Sequence, residues 1–280
     1  MNEKQHQWGT HEWSPYTLNC ITGCINNCKY CYSKEMAIRY NRSSPGTWEN
    51  ETVRPHDLTK NIKKYGARVM YPSAHDIRPE HLNENLVFLK HILEAGNEVL
   101  IVSKPHLVCI KAICKKFAAY KEKIIFRFSI GSADDAVLKF WEPNATDFKE
   151  RLDCLKLAHK NGFGTSVSSE PMLDDNIDKV IKKVSPFVTE TIWVGKINHL
   201  IGVKGRGRLD FNGHNDPATM AKATELIAWQ SDDKIMQLYD AHKNDPKIMW
   251  KESIKKVVEI NGVSALQDIE GSVSQKNDVH

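Results

Sequence analysis

The chain predicts an α/β protein built on a parallel sheet, folded as a βα barrel, complete or partial. Two observations carry that prediction. From about residue 65 to 195, short apolar runs rich in β-branched residues alternate with helical patterns. Strands regularly separated by helices pair in parallel through right-handed crossovers. Two of the strand-like runs also carry polar residues on one parity, Arg127 and Ser129 in the first, Ser166, Ser168 and Glu170 in the second. Alternate residues of a strand face opposite sides, and a closed, packed barrel fills its interior with branched aliphatics. A polar inner face therefore implies a barrel left open enough to hold a ligand.

In chain order, the strand-like runs are 67–71, 99–102, 124–130, 164–168 and 191–194. Between them, Leu86, Leu89 and Leu93 recur at helical spacing and stop at Gly96, a suitable C′ residue. Phe148, Leu152 and Leu155 do the same, opened by Asp147-x-x-Glu150 and closed at Gly162. Residues 41–56 read as loop. After Lys196 the rhythm stops. Residues 196–216 hold Gly202, Gly205, Gly207 and Gly213 among Lys196, Lys204, Arg206 and Arg208, a basic loop. Residues 217–243 and 247–260 then read as helices parted at Asp245-Pro246, and 264–280 as a loose tail. The expected organisation is a barrel over 1–195, a basic loop and helical extension over 196–263, and a flexible tail over 264–280.

The 280 residues suffice for one large domain or two modest ones. With 41% hydrophobic and 26% charged residues, disorder is excluded. A net charge of +4 permits an anionic partner without demanding one. The longest aliphatic runs are strand-sized, far short of the ~20 residues of a membrane span. The first residues carry no apolar stretch behind their charges, so no signal peptide is expected. A cytoplasmic protein with reduced cysteines follows; nothing indicates an oligomeric state.

Four of the seven cysteines, Cys20, Cys24, Cys28 and Cys31, fall within twelve residues. Cys109, Cys114 and Cys154 lie in helical patterns, as small buried hydrophobes do. In a reducing compartment the cluster points to a metal or cofactor site. Cys24-x3-Cys28-x2-Cys31 presents three thiolates on one tight loop. An iron–sulfur cubane normally takes four cysteines; three leave one iron open to a small molecule. The plainer readings are a four-cysteine zinc knuckle that includes Cys20, or a ferredoxin-like electron carrier. Zinc sites usually separate two cysteine pairs by a long spacer, and either reading leaves the βα scaffold without a use.

The segment Cys24-Ile-Asn-Asn-Cys28-Lys-Tyr30-Cys31 resembles the signature of radical S-adenosylmethionine (radical SAM) enzymes. The resemblance implies a partial (β/α)6 TIM-type barrel, here with a helical C-terminal extension. Within the superfamily the chain resembles the spore photoproduct lyase-like, or DNA repair photolyase-like, branch and its phage-associated relatives. The matching segments run in order across residues 13–195. They are Trp13-Ser-Pro-Tyr16, Ser73-Ala-His-Asp76-Ile-Arg-Pro-Glu80, Val102-Ser-Lys104 and Phe126-Arg-Phe-Ser129-Ile, then Glu142-Pro, Glu150-Arg-Leu152 and Ser169-Glu170-Pro.

That resemblance implies a [4Fe–4S] cluster on Cys24, Cys28 and Cys31 and S-adenosyl-L-methionine as the second cofactor, chelated by the open iron. Reductive cleavage would give a 5′-deoxyadenosyl radical that takes hydrogen from a substrate, possibly a nucleic acid or nucleobase. A reductant of flavodoxin or ferredoxin type would supply the electron. Tyr30, Ser73, Lys104, Ser129 and Glu170 are implied at the cofactor, Tyr30 near its adenine, Lys104 and Ser129 at its ribose and methionine parts. Lys104, Ser129 and Asp76 are the implied catalytic positions.

There are departures. Cys20 is an extra thiol, either bystander, redox-sensitive site or substitute ligand. The entry segment from Tyr16 to Gly23 is longer than usual. Ser73 stands where photoproduct lyases carry a hydrogen-donating cysteine, which argues against thymine-dimer repair itself.

Several residues keep a structural reading as well. Lys104 could be an exposed lysine before Pro105, and Ser129 a strand hydroxyl. Asp76 and Glu80 could cap helices, and Glu170 could pair with Arg127. The 196–208 loop could be solvated or touch phosphates. Trp229, Tyr239 and Trp250 could pack the core or stack on bases. The function classes left beside the enzyme are a non-enzymatic metal- or cluster-binding nucleic-acid module and a cluster-bearing electron-transfer protein.

Overall fold

The computed structural model describes residues 9–203 and 205–261; Lys204 of the basic loop and the expected tail at 264–280 lie outside the described residues. A short 3-10 turn, Gly9–Glu12, precedes β1 (Tyr16–Thr17) and β2 (Ile21–Thr22). The cysteine loop follows and runs into α1 (Tyr32–Arg39), β3 (Thr52–Val53) and α2 (Pro55–Thr59). The repeating part comprises β4 (Val69–Tyr71), α3 (Leu82–Glu94), β5 (Val99–Ser103), α4 (Leu107–Lys116), β6 (Ile124–Ser129), α5 (Asp135–Trp141) and α6 (Phe148–Lys160). It continues through β7 (Gly164–Ser169), α7 (Ile177–Val184) and β8 (Ile192–Val194). The C-terminal third holds α8 (Arg208–Asn212), α9 (Pro217–Trp229), α10 (Asp232–His242), β9 (Ile248–Trp250) and α11 (Glu252–Ile260).

The strands form one all-parallel, seven-stranded sheet in the order β1-β4-β5-β6-β7-β8-β9, and β2 and β3 form a small antiparallel pair. The fold is thus the expected α/β partial barrel, with β1 and β9 as its edges among the described residues. Local sequence explains the elements. Asp147 caps α6 by accepting from the Glu150 N–H at 2.7 Å. Gly96 ends the α3 turn at φ +86°, a left-handed conformation that glycine adopts at no steric cost. On α7, Ile177, Val180, Ile181 and Val184 are buried at helical spacing, and Lys179, Lys182 and Lys183 face water.

The alternation within the strands sorts two surfaces. Ile101, Phe126, Phe128 and Val167 are buried in the apolar core with residues of the surrounding helices. On the inner surface Arg127 lies beside Ser166, and Ser129 beside Ser168. The lumen is filled at this level: the Arg127 guanidinium sits 5.1 and 5.2 Å from the rings of Trp13 and Trp193. Its Nε donates to Ser166 at 2.9 Å. The expected Arg127–Glu170 pair is replaced by a Lys251–Glu170 pair at 3.2 Å. Lys251, just beyond β9, also reaches the Gly9 carbonyl at 2.7 Å and Glu12 at 2.8 Å. Side chains thereby bridge the gap between the two sheet edges.

Three sequence expectations are corrected. Residues 247–260 do not form one helix, because Ile248–Trp250 is buried and joins β8 as the last strand before α11 begins. Residues 217–243 break into α9 and α10 at Gln230, a buried residue whose side chain bonds the backbone of Met172 and Ile197. The 41–56 loop contains β3, paired with β2, and the first turn of α2. Tyr239 and Trp250 are buried against each other with ring centroids 5.5 Å apart, and Trp229 packs on the same core. No helix among the described residues is long and apolar enough to cross a membrane.

Candidate cluster and cofactor site

A cavity of about 450 Å³ opens at the carboxyl ends of the strands, where βα folds gather their ligands. Cys24, Cys28, Cys31, Tyr30, Ser73, Asp76, Lys104, Ser129 and Glu170 all line it. Residues that the sequence separates by up to 146 positions are brought to one cavity because each lies at the end of a strand, just beyond one, or on the cysteine loop.

The loop is shaped before any ligand enters. Gly23 sits at φ +88°, and a Cβ there would lie 2.6 Å from the Trp48 carbonyl oxygen; only glycine fits. That same carbonyl accepts from the Cys24 N–H at 2.9 Å. Asn27 takes a left-handed conformation at φ 46°, which asparagine tolerates, and donates to Glu49 at 2.7 Å. The Ile25 N–H donates to Glu51 at 3.1 Å. So the 41–56 segment, unremarkable in sequence, supplies the carboxylates and carbonyl that hold the cysteine loop. Cys31 caps α1, its Sγ accepting from the Lys34 N–H at 3.3 Å.

Cys20 is turned away. It is fully buried, does not line the cavity, and lies 3.2 Å from the Tyr71 hydroxyl, which in turn donates to Asn85 at 2.6 Å. Burial pushes the Cys20 thiol up to about 11. A four-cysteine zinc knuckle using Cys20 does not form.

Behind Lys104 lies a buried charge network. Glu142 takes a hydrogen bond from the Tyr30 hydroxyl, pairs with Arg151 at 2.5 Å and stands 3.9 Å from Lys104. Arg151 also donates to the carbonyls of Thr146 at 2.9 Å and Ser129 at 3.1 Å, tying the network to the end of β6. Burial alone would lower the Lys104 pKa, but Cys28, Tyr30, Glu142 and Asp76 outweigh it and hold the ammonium firmly charged. Lys104 is therefore no freely exposed lysine; its side chain is 13% accessible and faces the cavity.

Asp76 caps no helix. One carboxylate oxygen accepts from Ser103 at 2.9 Å and the Lys104 N–H at 2.7 Å, the other from Asn26 at 2.7 Å. Burial works against its ionisation, yet Lys104 and these donors hold its pKa below the ordinary carboxylate value. It joins β4, β5 and the cysteine loop. Arg78 stands behind that loop, donating to Asn26 at 2.8 Å. Ser73 is fixed by Asn19, whose Oδ1 accepts from the Ser73 and Ala74 N–H groups at 2.8 Å each. Asn19 and Asn26 had no distinguishing sequence signal, whereas Glu142 and Arg151 sit in two of the segments that resemble the lyase branch.

His75, beside Asp76, is buried with its Nδ1 3.1 Å from the Asp76 carbonyl, and burial pushes its pKa down to about 4. The unfolded chain binds this proton near pH 6.5, so stability falls as pH drops from 6.5 to 4, by about 3 kcal/mol in total, and is flat below. Denaturant unfolding across that range is expected to show His75→Gln with a shallower slope by roughly one proton. An unchanged slope would mean that His75 is already charged in the fold.

The donor set suits a cubane. Burial raises the Cys24, Cys28 and Cys31 pKa values, and for Cys24 the neighbouring Asp76, Cys28 and Cys31 add to it. Burial disfavours bare thiolates there, and a cationic centre would offset that cost. No three His, Cys, Asp or Glu side chains among the described residues converge as the ligands of a single ion do. Three thiols in the cavity, with Cys20 outside it, suit a cubane with one open iron better than the four-ligand set of structural zinc.

An open parallel βα barrel with a three-cysteine loop lining a cavity at its carboxyl rim defines the class: a βα-barrel protein with its ligand site built at the strand ends. The model of the Radical SAM superfamily matches residues 18–184. The chain belongs to the radical SAM superfamily. It is 27% identical over 173 residues to the uncharacterised protein ORF301 of Acidianus two-tailed virus, covering 58% of this chain and 57% of that one. It is 29% identical over 177 residues to the uncharacterised protein MJ0683 of Methanocaldococcus jannaschii, covering 61% of this chain and 66% of that one. The matches thus span 57–66% of the curated relatives' length. Among solved structures, spore photoproduct lyase complexed with dinucleoside spore photoproduct superposes with a TM-score of 0.54 at 14% identity, over 85% of this chain and 77% of that one. A variant of the same lyase with bound AdoMet and the dinucleoside gives 0.54 at 15% identity and the same coverage. At these identities the likeness is one of fold.

Proposed function

We propose that this chain is a radical SAM enzyme in which Cys24, Cys28 and Cys31 hold a [4Fe–4S] cluster and the adjoining cavity takes S-adenosylmethionine. The observation that carries the reading is the three thiols lining one cavity together with Lys104 and Ser129, with the fourth cysteine buried outside it against Tyr71. When bound, the cluster supplies the electron that cleaves S-adenosylmethionine to methionine and a hydrogen-abstracting 5′-deoxyadenosyl radical. The chain's own work is placement and exclusion of water. Lys104, kept charged by its neighbours, would pair with the cofactor carboxylate. Tyr30, its hydroxyl held by Glu142, would present its ring to the adenine. Ser129 and Ser73 would offer hydroxyls, and Asp76 would keep the cysteine loop in register with β5. Glu170, tethered by Lys251, would orient the cofactor at the side remote from the loop.

For the substrate we favour a nucleic acid or nucleobase. Lys196 and Arg208, from the basic loop, line the cavity, and the superposed lyase was solved with a dinucleoside. A reductant of flavodoxin or ferredoxin type completes the set. The site of action is taken as the cytoplasm, where such reductants work.

Anaerobic reconstitution with iron and sulfide, followed by reductant and S-adenosylmethionine, tests the reading. A coloured protein that forms 5′-deoxyadenosine is expected. A colourless protein would support a zinc or staple module, and a cluster without the nucleoside would support an electron carrier. Lys104→Met is expected to weaken S-adenosylmethionine binding by about 30-fold or more, the effect of ~2 kcal/mol for removing one partner of a desolvated charge pair. Equilibrium binding to the reconstituted protein reads it, and an unchanged dissociation constant would free Lys104 of that role. Polynucleotide binding across a salt series checks the substrate class, since phosphate contacts impose a steep salt slope.

A further inference from the structure

The C-terminal third touches the cysteine loop in a way the chemistry above does not explain. Asn212 ends α8 and is 1% exposed. Its Nδ2 donates to the carbonyl oxygens of Lys29 and Cys31, both at 3.0 Å. One amide therefore brackets Tyr30 and holds the backbone of a candidate cluster ligand. The amide's orientation follows from chemistry, because the opposite one would set its oxygen against two carbonyl oxygens. Oδ1 itself is buried without a hydrogen-bond partner, so the side chain is of use there through its two donors.

Two further ties fall within the same stretch of chain. Lys29 Nζ donates to the buried Thr219 hydroxyl in the first turn of α9 at 2.8 Å. Arg208, one turn before Asn212, donates from Nε to Glu35 of α1 at 3.1 Å and lines the cavity. Before the loop runs into α1, its backbone is also held from the barrel side, where the Lys29 N–H donates to the Trp141 carbonyl at 2.9 Å. The loop is gripped between α5 and α8.

We infer that Asn212 is a positioning residue for the cluster-binding loop, and that residues 207–219 act as a clasp fixing Tyr30 and Cys31 against the cavity. This rests on the proposed cluster site for its purpose, though not for its geometry. A carbonyl pinned on each side of Tyr30 leaves the Cys31 side chain one narrow range of positions. Without the clasp the loop would still be tethered at Cys24 by Trp48 and at the Lys29 N–H by Trp141, but the carbonyls of Lys29 and Cys31 would lose the amide that holds them.

Asn212→Leu removes both donors at similar size, Asn212→Asp replaces them with acceptors, and Asn212→Ser retains one. Hydrogen–deuterium exchange on the apo proteins reads the loop without any cluster. Peptides spanning 24–34 are expected to exchange about tenfold faster in Leu and Asp variants, with Ser between, and peptides spanning 99–129 unchanged. On the reconstituted proteins, iron transfer to a chelator is expected to speed up by about tenfold, the usual effect of losing a hydrogen bond that supports a ligand. Wild-type exchange in both variants would overturn the inference. Faster exchange over the whole chain would also overturn it, as a sign of general destabilisation. If the wild-type protein takes up no iron, the cluster reading fails, while the apo exchange still decides the role of Asn212.

Discussion

Replacing Cys28 with alanine is expected to remove the cluster and, with it, 5′-deoxyadenosine formation below detection. The expectation follows from the number and placement of the thiols. Cys24, Cys28 and Cys31 line the cavity, and Cys20 does not. The proposed set of three ligands leaves no spare to take over. Losing a hydrogen bond that merely supports a ligand costs ~10–100-fold in metal affinity, so losing a ligand outright costs at least about 100-fold. Cys28 is also one of the neighbours that raise the Lys104 pKa against its burial, and its removal takes that support away. The measurement is iron and sulfide content per chain, paired with the visible absorption of the reconstituted protein.

Cys20→Ala supplies the contrast. It removes a buried partner of Tyr71 and is expected to cost about 1 kcal/mol of stability, that of an ordinary hydrogen bond, with full cluster content. If Cys20→Ala empties the site and Cys28→Ala does not, the ligand assignment is reversed. The pair of variants thus separates a buried thiol outside the cavity from the thiols proposed to hold the cluster.

Much of the site was legible because its residues follow strands, and strand ends in a βα sheet converge by topology. Once 99–102 and 124–130 read as parallel strands, Lys104 and Ser129 had to share a rim. The cysteine spacing added the loop. What stayed hidden depended on tertiary contact. Ile248–Trp250 carries no alternation that marks a strand in three residues, and becomes one by completing the sheet beside β8. Lys251 looked like any lysine of a basic chain, yet it is buried against Glu12 and Glu170. Glu170 lines the cavity but takes Lys251 as its partner in place of Arg127, since parity predicts which face a residue takes and not which neighbour reaches it. Asn212 gave no signal at all, because an amide that bonds two carbonyls 181 and 183 positions away has no local pattern.

The second large effect concerns stability rather than ligation. Arg151→Met is expected to destabilise the protein by about 3–5 kcal/mol, the cost of leaving a buried charge without its partner. Arg151 is fully buried, and Glu142 nearly so. The variant leaves that carboxylate with only the Tyr30 hydroxyl and Lys104 at 3.9 Å, and it frees the carbonyls of Thr146 and Ser129. In a chain of this size a loss of that order lowers the melting temperature by roughly 10 °C.

Combining Arg151→Met with Glu142→Gln removes both charges, and the double variant is expected to regain part of the lost stability, since replacing a buried pair costs less than breaking one. Cofactor binding should not recover with it. Glu142 is what holds the Tyr30 hydroxyl and steadies Lys104, so the double variant is expected to be more stable than Arg151→Met and to bind S-adenosylmethionine less tightly than wild type. Thermal denaturation and equilibrium binding on the same preparations read the two effects. A melting temperature for Arg151→Met within about 2 °C of wild type would show that the network does not bear on the fold. Restored binding in the double variant would show that Tyr30 and Lys104 are placed by something other than Glu142. The network would then be a fastening of α6 to β6 and no part of the site.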